Sequence, residues 1–308
     1  MSILIIALYF STLIGIGLLG RRFLRGTGES YFLAGRTIGP FVLLMSLFGT
    51  QMTAFALLGA SGEAYRRGIG VFAMMASSSA LIVPLVFYFL GRRVWVIGQR
   101  LGCLTQAQFF RARWQSEMVS GTLFVFLLVL LIPYLLIGVM GAGITVNQIT
   151  GGAVPEWLGS LIVCAVVFIY VVTSGLGGTS WANTFQTLVF MSLGLVSFVY
   201  ISGRLGGLAQ AMQQVQQTHP QLLVIGGGVT GLEFFSFLLI PLSAAMFPHL
   251  FMHWLSARDV RAFRLPVAAY PIFIGILWVP TVLLGIMARI HDLDQVAQPA
   301  DLPVGPAI

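Results

Sequence analysis

Two apolar segments of this sequence are broken up by residues that could bind an ion or a small molecule. The first segment starts at Pro40 and reaches Gly49, Thr50, Gln51, Met52 and Thr53. The second contains Pro241, Ser243, Pro248 and His249. Each proline removes a backbone donor and obstructs the helical turn before it, and a Gly-Thr-Gln stretch favours local unwinding. We predict that both segments are interrupted helices.

An interruption inside a membrane leaves main-chain carbonyl oxygens without helical partners. In transporters built from broken helices, such oxygens coordinate a cation next to the solute. We therefore expect the two segments to border an ion and its solute. The alternative is that the polar residues and prolines only help these helices to pack or bend, as they do in many membrane bundles.

The elements that must hold these residues are apolar helices. A helix needs about 20 apolar residues to cross the hydrocarbon layer. Such runs occur near residues 3–20, 38–62, 70–91, 119–149, 158–176, 185–206, 231–254 and 266–288. No ten-residue alternation typical of a membrane barrel is present. We predict an all-α, polytopic membrane bundle of about eight spans, with a short helix outside the membrane at 208–217.

The composition excludes several other classes of protein. Hydrophobic residues make up 58% of the chain and charged residues 8%, too few charges to cover a water-soluble surface. The net charge is +7, but the arginines lie in short patches between apolar runs, so no nucleic-acid partner is predicted. Two cysteines indicate neither a disulfide framework nor a thiolate metal site. No catalytic triad or metal cluster is recognisable, so neither an enzyme nor a bound cofactor is predicted.

The arginines also predict the orientation, because cytoplasmic loops carry an excess of positive charge. Twelve of the 16 follow the first, third and seventh runs. This places the N-terminus outside a cytoplasmic membrane. The first run is followed by Arg21, Arg22 and Arg25 and is not preceded by basic residues, so we predict a retained helix and not a signal peptide.

The two interrupted segments are the second and seventh runs, so they lie five helices apart and run in opposite directions. That relation is expected when a five-helix unit is repeated upside down. We predict a single transmembrane domain, 1–308.

Several short motifs resemble those of the sodium:solute symporters, which include proline, pantothenate and sugar carriers. They are YFLAGR at 31–36, GP at 39–40, SLFGTQMT at 46–53, GASG at 59–62, SGLGG at 174–178, WANTFQ at 181–186, PH at 248–249 and SARD at 256–259. The matches extend through almost the whole chain. They imply the first part of an inverted-repeat, LeuT-like transporter fold. In that fold, residues 1–37 would form an extra first helix and linker, 38–206 the first five-helix repeat, and 231–308 the truncated start of the inverted repeat.

The resemblance also implies a site. The backbone carbonyls of Gly49 and Met52 would bind sodium, the coupling ion. The residues expected to border the solute are Gln51, Thr53, Ser77, Ser78, Phe247 and His249. Two alternatives stay open. Ser77, Ser78 and Ser79 could form a small-residue packing face, and His249 could offer its ring to an unpaired carbonyl next to Pro248.

Three departures from the family pattern change what is expected. Ser174 stands where the family usually has a glycine. Asn183 occupies a position where several members carry an aspartate implicated in a further cation site, which favours one coupling ion over two. The chain ends after the eighth run and resembles the first three fifths of a symporter, so these 308 residues alone are not expected to transport.

We therefore predict sodium-coupled symport of a small organic solute, with sodium, the solute and the lipid bilayer as partners. The candidate residues include no acidic side chain and one basic one, His249, which favours a neutral or weakly anionic solute. The alternative is a membrane sensory or structural module that uses a transporter-like bundle. Sequence beyond residue 308 would discriminate between the two.

Overall fold

The fold is described from a computed structural model, which covers residues 2–20, 26–52, 55–226 and 229–291. Within these ranges the structure is almost entirely helical and contains no strands, as predicted. The helices are α1 Ser2–Gly20, α2 Gly28–Leu33, α3 Pro40–Gln51, α4 Phe55–Arg67, α5 Phe72–Arg100, α6 Gln106–Trp114, α7 Glu117–Ile149, α8 Glu156–Arg204, α9 Leu208–Thr218, α10 Gly231–Leu242, α11 Pro248–Ser256 and α12 Val260–Ile290.

Four of the described helices, α5, α7, α8 and α12, are long and apolar enough to cross a membrane. The number rises to six if α3 with α4, and α10 with α11, each form one broken span. α1 is a shorter apolar helix. The predicted number of eight crossings and the inverted repeat both stay predictions. The short helix predicted at 208–217 is confirmed as α9.

α8 covers the fifth and sixth predicted runs, 158–176 and 185–206, to within two residues, and its helical geometry is broken by a kink at Gly175. The two runs are thus two helical segments joined at that kink. The polar stretch between the runs belongs to the segment after the kink, and its hydroxyls bond to carbonyls one turn earlier. Thr179 donates to Gly175 and Ser180 donates to Leu176, both at 2.8 Å. A hydroxyl whose hydrogen bond is made within its own helix can lie within an apolar span.

The one non-helical residue inside α8 is Gly175, with φ 58° and ψ −159°. A Cβ atom at this position would lie 2.5 Å from the carbonyl oxygen of Tyr31. Glycine is therefore required by both the positive φ and the close approach of the chain. Ser174, which replaces a family glycine, donates its hydroxyl to the carbonyl of Tyr170 one turn earlier.

The chain divides into two compact units, each made of three segments. The first unit comprises Met1–Ala54, Val83–Leu188 and Ser243–Tyr270. Its core is aromatic: the ring of Phe87 meets Trp254 edge-on at 5.9 Å and Tyr270 at 5.6 Å, and Phe48 meets Tyr270 at 5.4 Å. All four side chains are fully buried. This cluster joins α3, α5, α11 and the start of α12.

Within the first unit, α3 begins beside the end of α11. The backbone N–H of Ile38 donates to Ser256 at 3.2 Å, and the N–H of Arg258 donates to the carbonyl of Ile38 at 2.9 Å. The indole N–H of Trp95 donates to Ala257 at 2.7 Å and ties α5 to the same turn. These bonds fix the starting point of α3.

The second unit comprises Phe55–Ile82, Val189–Leu242 and Pro271–Ile308. Its described part contains α4, α9, α10 and the end of α12. α4 is followed by Gly68, whose φ is 77°. A Cβ atom added at Gly68 would overlap the backbone of Leu222. The neighbouring N–H of Ile69 donates to the carbonyl of Leu222 at 2.7 Å. The end of α4 is thus packed tightly on the turn that follows α9.

Candidate functional site

Both predicted interruptions are confirmed. α3 ends at Gln51, Met52 has non-helical dihedrals of φ −84° and ψ 86°, and helical structure resumes at Phe55. The second interruption is at Phe247, which has an extended backbone with φ −67° and ψ 120° between the turn Ser243–Met246 and α11. Pro248 is the first residue of α11, where its missing N–H costs nothing.

Tyr134, in the middle of α7, contacts the residues at both interruptions. Its hydroxyl donates to the carbonyl of Thr50 at 3.2 Å. Its ring is stacked on His249 at 5.3 Å, with an interplanar angle of 15°, and is tilted against Phe247 at 5.4 Å. Because α3 begins near the end of α11 and ends near its start, the two helices run side by side in opposite directions.

A polar seam joins the end of α3 to α8. The amide Nδ2 of Asn183 donates to the Thr50 hydroxyl at 2.9 Å, and the Thr187 hydroxyl donates to the Met45 carbonyl at 3.1 Å. Gly49 permits this close approach, because a Cβ atom there would overlap the Thr187 hydroxyl. The seam holds the last turn of α3 in place with neutral oxygen and nitrogen atoms.

Gln51 is held from the side of α12. The hydroxyl of Tyr270 donates to the Gln51 side-chain oxygen Oε1. Tyr270 is fixed in turn by the rings of Phe48 and Phe87. With its oxygen engaged in this bond, the Gln51 side chain keeps its NH₂ group as a hydrogen-bond donor.

Gln106, the first residue of α6, supports the second interruption. Its side-chain Nε2 donates to the carbonyl of Met246 at 3.2 Å, the last carbonyl before the extended residue Phe247. The side chain is only 3% exposed, and within the described residues its Oε1 has no hydrogen-bond partner. Phe109 of α6 packs against Phe251 of α11 at 5.3 Å. α6 therefore fixes both sides of this interruption.

The atoms gathered here suit a monovalent hard cation better than a transition metal. Among the described residues, no group of three or more His, Cys, Asp or Glu side chains could hold a metal ion. The atoms near Thr50 that could coordinate an ion are the oxygens of main-chain carbonyls, hydroxyls and side-chain amides. Carbonyl oxygens freed at a helix interruption are the kind of ligand that coordinates sodium in transporters with broken helices.

The model of the sodium:solute symporter family matches residues 31–298. This chain belongs to the sodium:solute symporter family. It is thus a multi-pass membrane protein of a family whose named relatives are transporters. The family resemblance expected from the motifs at 31–62, 170–186 and 248–259 is confirmed.

Individual family members are similar over most of this chain. It is 26% identical over 294 residues to the sodium/pantothenate symporter of Escherichia coli, covering 93% of this chain and 60% of that protein. It is 25% identical over 270 residues to the uncharacterized symporter YhjB of Bacillus subtilis, covering 86% and 55%. The chain therefore spans between half and two thirds of the length of these relatives.

A solved structure of a sodium-coupled sialic acid symporter, in a substrate-bound outward-open state, has a similar fold. The TM-score is 0.79, with 99% of this chain and 62% of that chain covered. The sequence identity is 16%, so this likeness concerns the fold alone. It agrees with the helical architecture of a sodium-coupled symporter.

The structure brings some of the predicted site residues of this symporter family member together. Phe247 and His249 meet on Tyr134, and Gly49 and Gln51 flank Thr50, to which Tyr134 is bonded. Met52 follows at the end of α3. Thr53 lies outside the described residues. All of these roles stay predictions.

Ser77 and Ser78 belong to the second unit and bond within their own helix. The Ser77 hydroxyl donates to Ala73, and the Ser78 hydroxyl donates to Met74 at 3.0 Å. Such bonds agree with the alternative of a packing face, although they do not test a role in solute binding. Sequence reasoning missed Tyr134, Tyr270 and Gln106; the adjacent Pro133 was the one local signal at Tyr134.

Proposed function

We propose that the protein carries a small organic solute across the cytoplasmic membrane together with sodium. The observation that carries this proposal is the antiparallel pair α3 and α11. Each of these helices ends or begins at a non-helical break, and Tyr134 contacts residues at both breaks. Family membership supports the same conclusion. An enzymatic role is not proposed, since the named relatives are transporters.

Sodium is proposed to bind at the end of α3, through the carbonyls of Gly49 and Met52. The Thr50 carbonyl between them already accepts a bond from Tyr134, and the Thr50 hydroxyl accepts one from Asn183. These two bonds hold the last turn of α3 so that the neighbouring carbonyls need little rearrangement to receive an ion. A site that is held in advance loses less entropy on binding.

The solute is proposed to contact Gln51, Thr53, Phe247 and His249, with Tyr134 as an additional neighbour. Ser77 and Ser78 are kept as further candidates. This set offers an amide, hydroxyls and aromatic faces but no carboxylate, which favours a neutral or weakly anionic solute. The named relatives include carriers of pantothenate and proline, both small organic molecules. We also propose that the N-terminus lies outside the cytoplasmic membrane and that the second interrupted segment begins an inverted repeat of the first five-helix unit.

Sodium binding can be measured without knowing the solute. The purified chain, reconstituted in lipid nanodiscs, is titrated with NaCl against KCl at constant ionic strength while its thermal unfolding is followed. An ion that binds only the folded state stabilises it by about 2.7 kcal/mol at roughly 100 times its Kd. We expect the unfolding temperature to rise with sodium and to stay constant in potassium.

Two matched variants show whether the response belongs to the end of α3. Thr50→Ala removes the hydroxyl bonded to Asn183 and should shift the sodium titration to higher concentrations. Thr145→Ala removes a hydroxyl that bonds to the Gly141 carbonyl of its own helix, at 2.7 Å, and should leave the titration unchanged. Identical unfolding curves in sodium and potassium for the unsubstituted chain would count against sodium coupling and favour a sensory or structural module.

A further inference from the structure

Arg67, the last residue of α4, bonds to carboxylates on two different helices of the second unit. Its Nε lies 3.0 Å from Glu63 Oε2, one turn earlier in α4. Its Nη1 donates to Oε1 of Glu233, near the start of α10. We call these three residues the Arg67 clasp. A guanidinium suits this arrangement because its planar fork can donate to two carboxylates at once.

Both ends of the Arg67 clasp stand on backbone that is fixed by other contacts. The chain turns immediately after Arg67 at Gly68, which is packed on Leu222. At the other end, the Thr230 hydroxyl accepts the backbone N–H of Glu233 at 3.2 Å and caps the first turn of α10. The Thr230 hydroxyl thus caps the start of α10, and the Glu233 carboxylate bonds to Arg67.

The three side chains are partly shielded from solvent. Their exposed fractions are 30% for Arg67, 16% for Glu63 and 29% for Glu233. Fully exposed ion pairs add little to stability because water and salt screen them. A shared guanidinium in a partly dry position is less screened, and removing it leaves Glu233 without its cation and Glu63 with only the more distant Arg66. The contact therefore favours one separation of α4 and α10.

We propose that Arg67 is a positioning residue that holds α4 to α10. The inference rests on the proposed function, because α4 follows the interruption after Gln51 and α10 precedes the one at Phe247. Holding the two half-helices together sets the spacing of the chain segments that lead into both interruptions. Loss of the Arg67 clasp thus lowers the population of the arrangement that binds sodium, which weakens apparent sodium affinity.

The separation of α4 and α10 can be measured directly in the reconstituted chain. Nitroxide labels are attached at Leu58→Cys and Leu239→Cys, two exposed positions of the second unit, after both native cysteines are replaced by serine. Pulsed electron resonance then gives the distribution of distances between the labels. We expect a narrow distribution in the labelled parent and a broader one in Arg67→Gln and in Glu233→Gln.

Arg66→Gln is the matched control, since Arg66 is the neighbouring arginine and approaches Glu63 no closer than 3.9 Å. It should leave the distribution narrow. The double variant Arg67→Gln/Glu233→Gln should be no broader than either single variant, because the two residues act through one bond. A distribution in Arg67→Gln that superimposes on the parent, or equal broadening in Arg66→Gln, overturns the proposal.

A sodium titration of the same samples separates this inference from the proposed function. In Arg67→Gln the sodium concentration for half-maximal stabilisation should rise about fivefold, which corresponds to about 1 kcal/mol. If the parent itself does not respond to sodium, the proposed function fails, whereas broadening in Arg67→Gln still supports the clasp. If the parent responds and Arg67→Gln binds sodium with unchanged affinity, the positioning role is wrong.

Discussion

The hydroxyl of Tyr134 donates to the carbonyl of Thr50 at 3.2 Å, one residue before α3 ends at Gln51. A carbonyl at the end of a helix has no partner in the next turn, and within a membrane no water replaces it. Tyr134 supplies the donor from a different helix. Since the same ring is stacked on His249, the Tyr134 side chain contacts residues at both interruptions.

Tyr134→Phe should weaken sodium binding while leaving the aromatic contacts in place. The phenylalanine ring still packs on Phe247 and His249, but the Thr50 carbonyl loses its donor. Loss of such a bond costs about 1 kcal/mol, so we expect the half-maximal sodium concentration to rise about fivefold. Tyr134→Leu, which also removes the ring stack, should have a larger effect. An unchanged sodium titration in Tyr134→Phe would show that the hydroxyl plays no part.

Asn183→Asp should change the number of sodium ions bound. Asn183 donates an N–H to Thr50, which an aspartate cannot do, and the new carboxylate would be costly next to α3 unless a cation accompanied it. We expect the Hill coefficient for sodium to rise above about 1. Asn147→Asp is the control, because Asn147 bonds to the Val154 carbonyl at 2.8 Å, away from α3. A Hill coefficient that stays the same in Asn183→Asp contradicts the single-ion interpretation of Asn183.

Gln106→Leu should destabilise the protein more than Gln108→Leu, the same substitution at an exposed position of α6. Leucine fills a similar volume but leaves the Met246 carbonyl without its donor, in a bond that is partly buried. Loss of one such hydrogen bond costs about 1 kcal/mol. Gln108→Leu, in the same helix but exposed, loses the solvent-exposed bond that its Oε1 accepts from the backbone N–H of Leu104 and should cost less. The free energies of unfolding in mild detergent give the comparison, and equal losses for the two variants would mean that Gln106 is not the support of this interruption.

The sequence was sufficient to predict where the helices break. Pro248 acts on its own backbone as the first residue of α11, and local rules describe such an effect well. The partners of those breaks could not be predicted in the same way. Tyr134 lies 84 residues from Thr50, and Gln106 lies 140 residues from Met246. Such pairs depend on how the helices pack, which the apolar pattern of α7 does not reveal.

The residues that follow the kink at Gly175 show a second limit of the apolar pattern. Residues 177–184 contain glycine, threonine, serine and asparagine and were predicted to separate two runs. They are helical, and the hydroxyls of Thr179, Ser180 and Thr184 find their partners in carbonyls four residues earlier. Asn183 meanwhile faces α3. Polar residues in a membrane segment therefore indicate a contact between helices as readily as they indicate a loop.

Gly49→Ala tests whether the close approach of α3 and α8 matters. The added methyl group would overlap the Thr187 hydroxyl, and overpacking of this kind costs about 1–3 kcal/mol. The double variant Gly49→Ala/Thr187→Ala removes the overlap and should recover part of that loss, so the two changes should be strongly non-additive in the free energy of unfolding.

Gly138→Ala provides the control for a helical glycine without such a neighbour. No described atom lies within 4 Å of a Cβ atom built at Gly138, and alanine is favoured over glycine in a helix by about 1 kcal/mol. Gly138→Ala should therefore be neutral or stabilising. If Gly49→Ala were equally neutral, or if Thr187→Ala gave it no relief, α3 would not need glycine to reach α8. The Asn183 to Thr50 bond would then be left without the close packing that supports it.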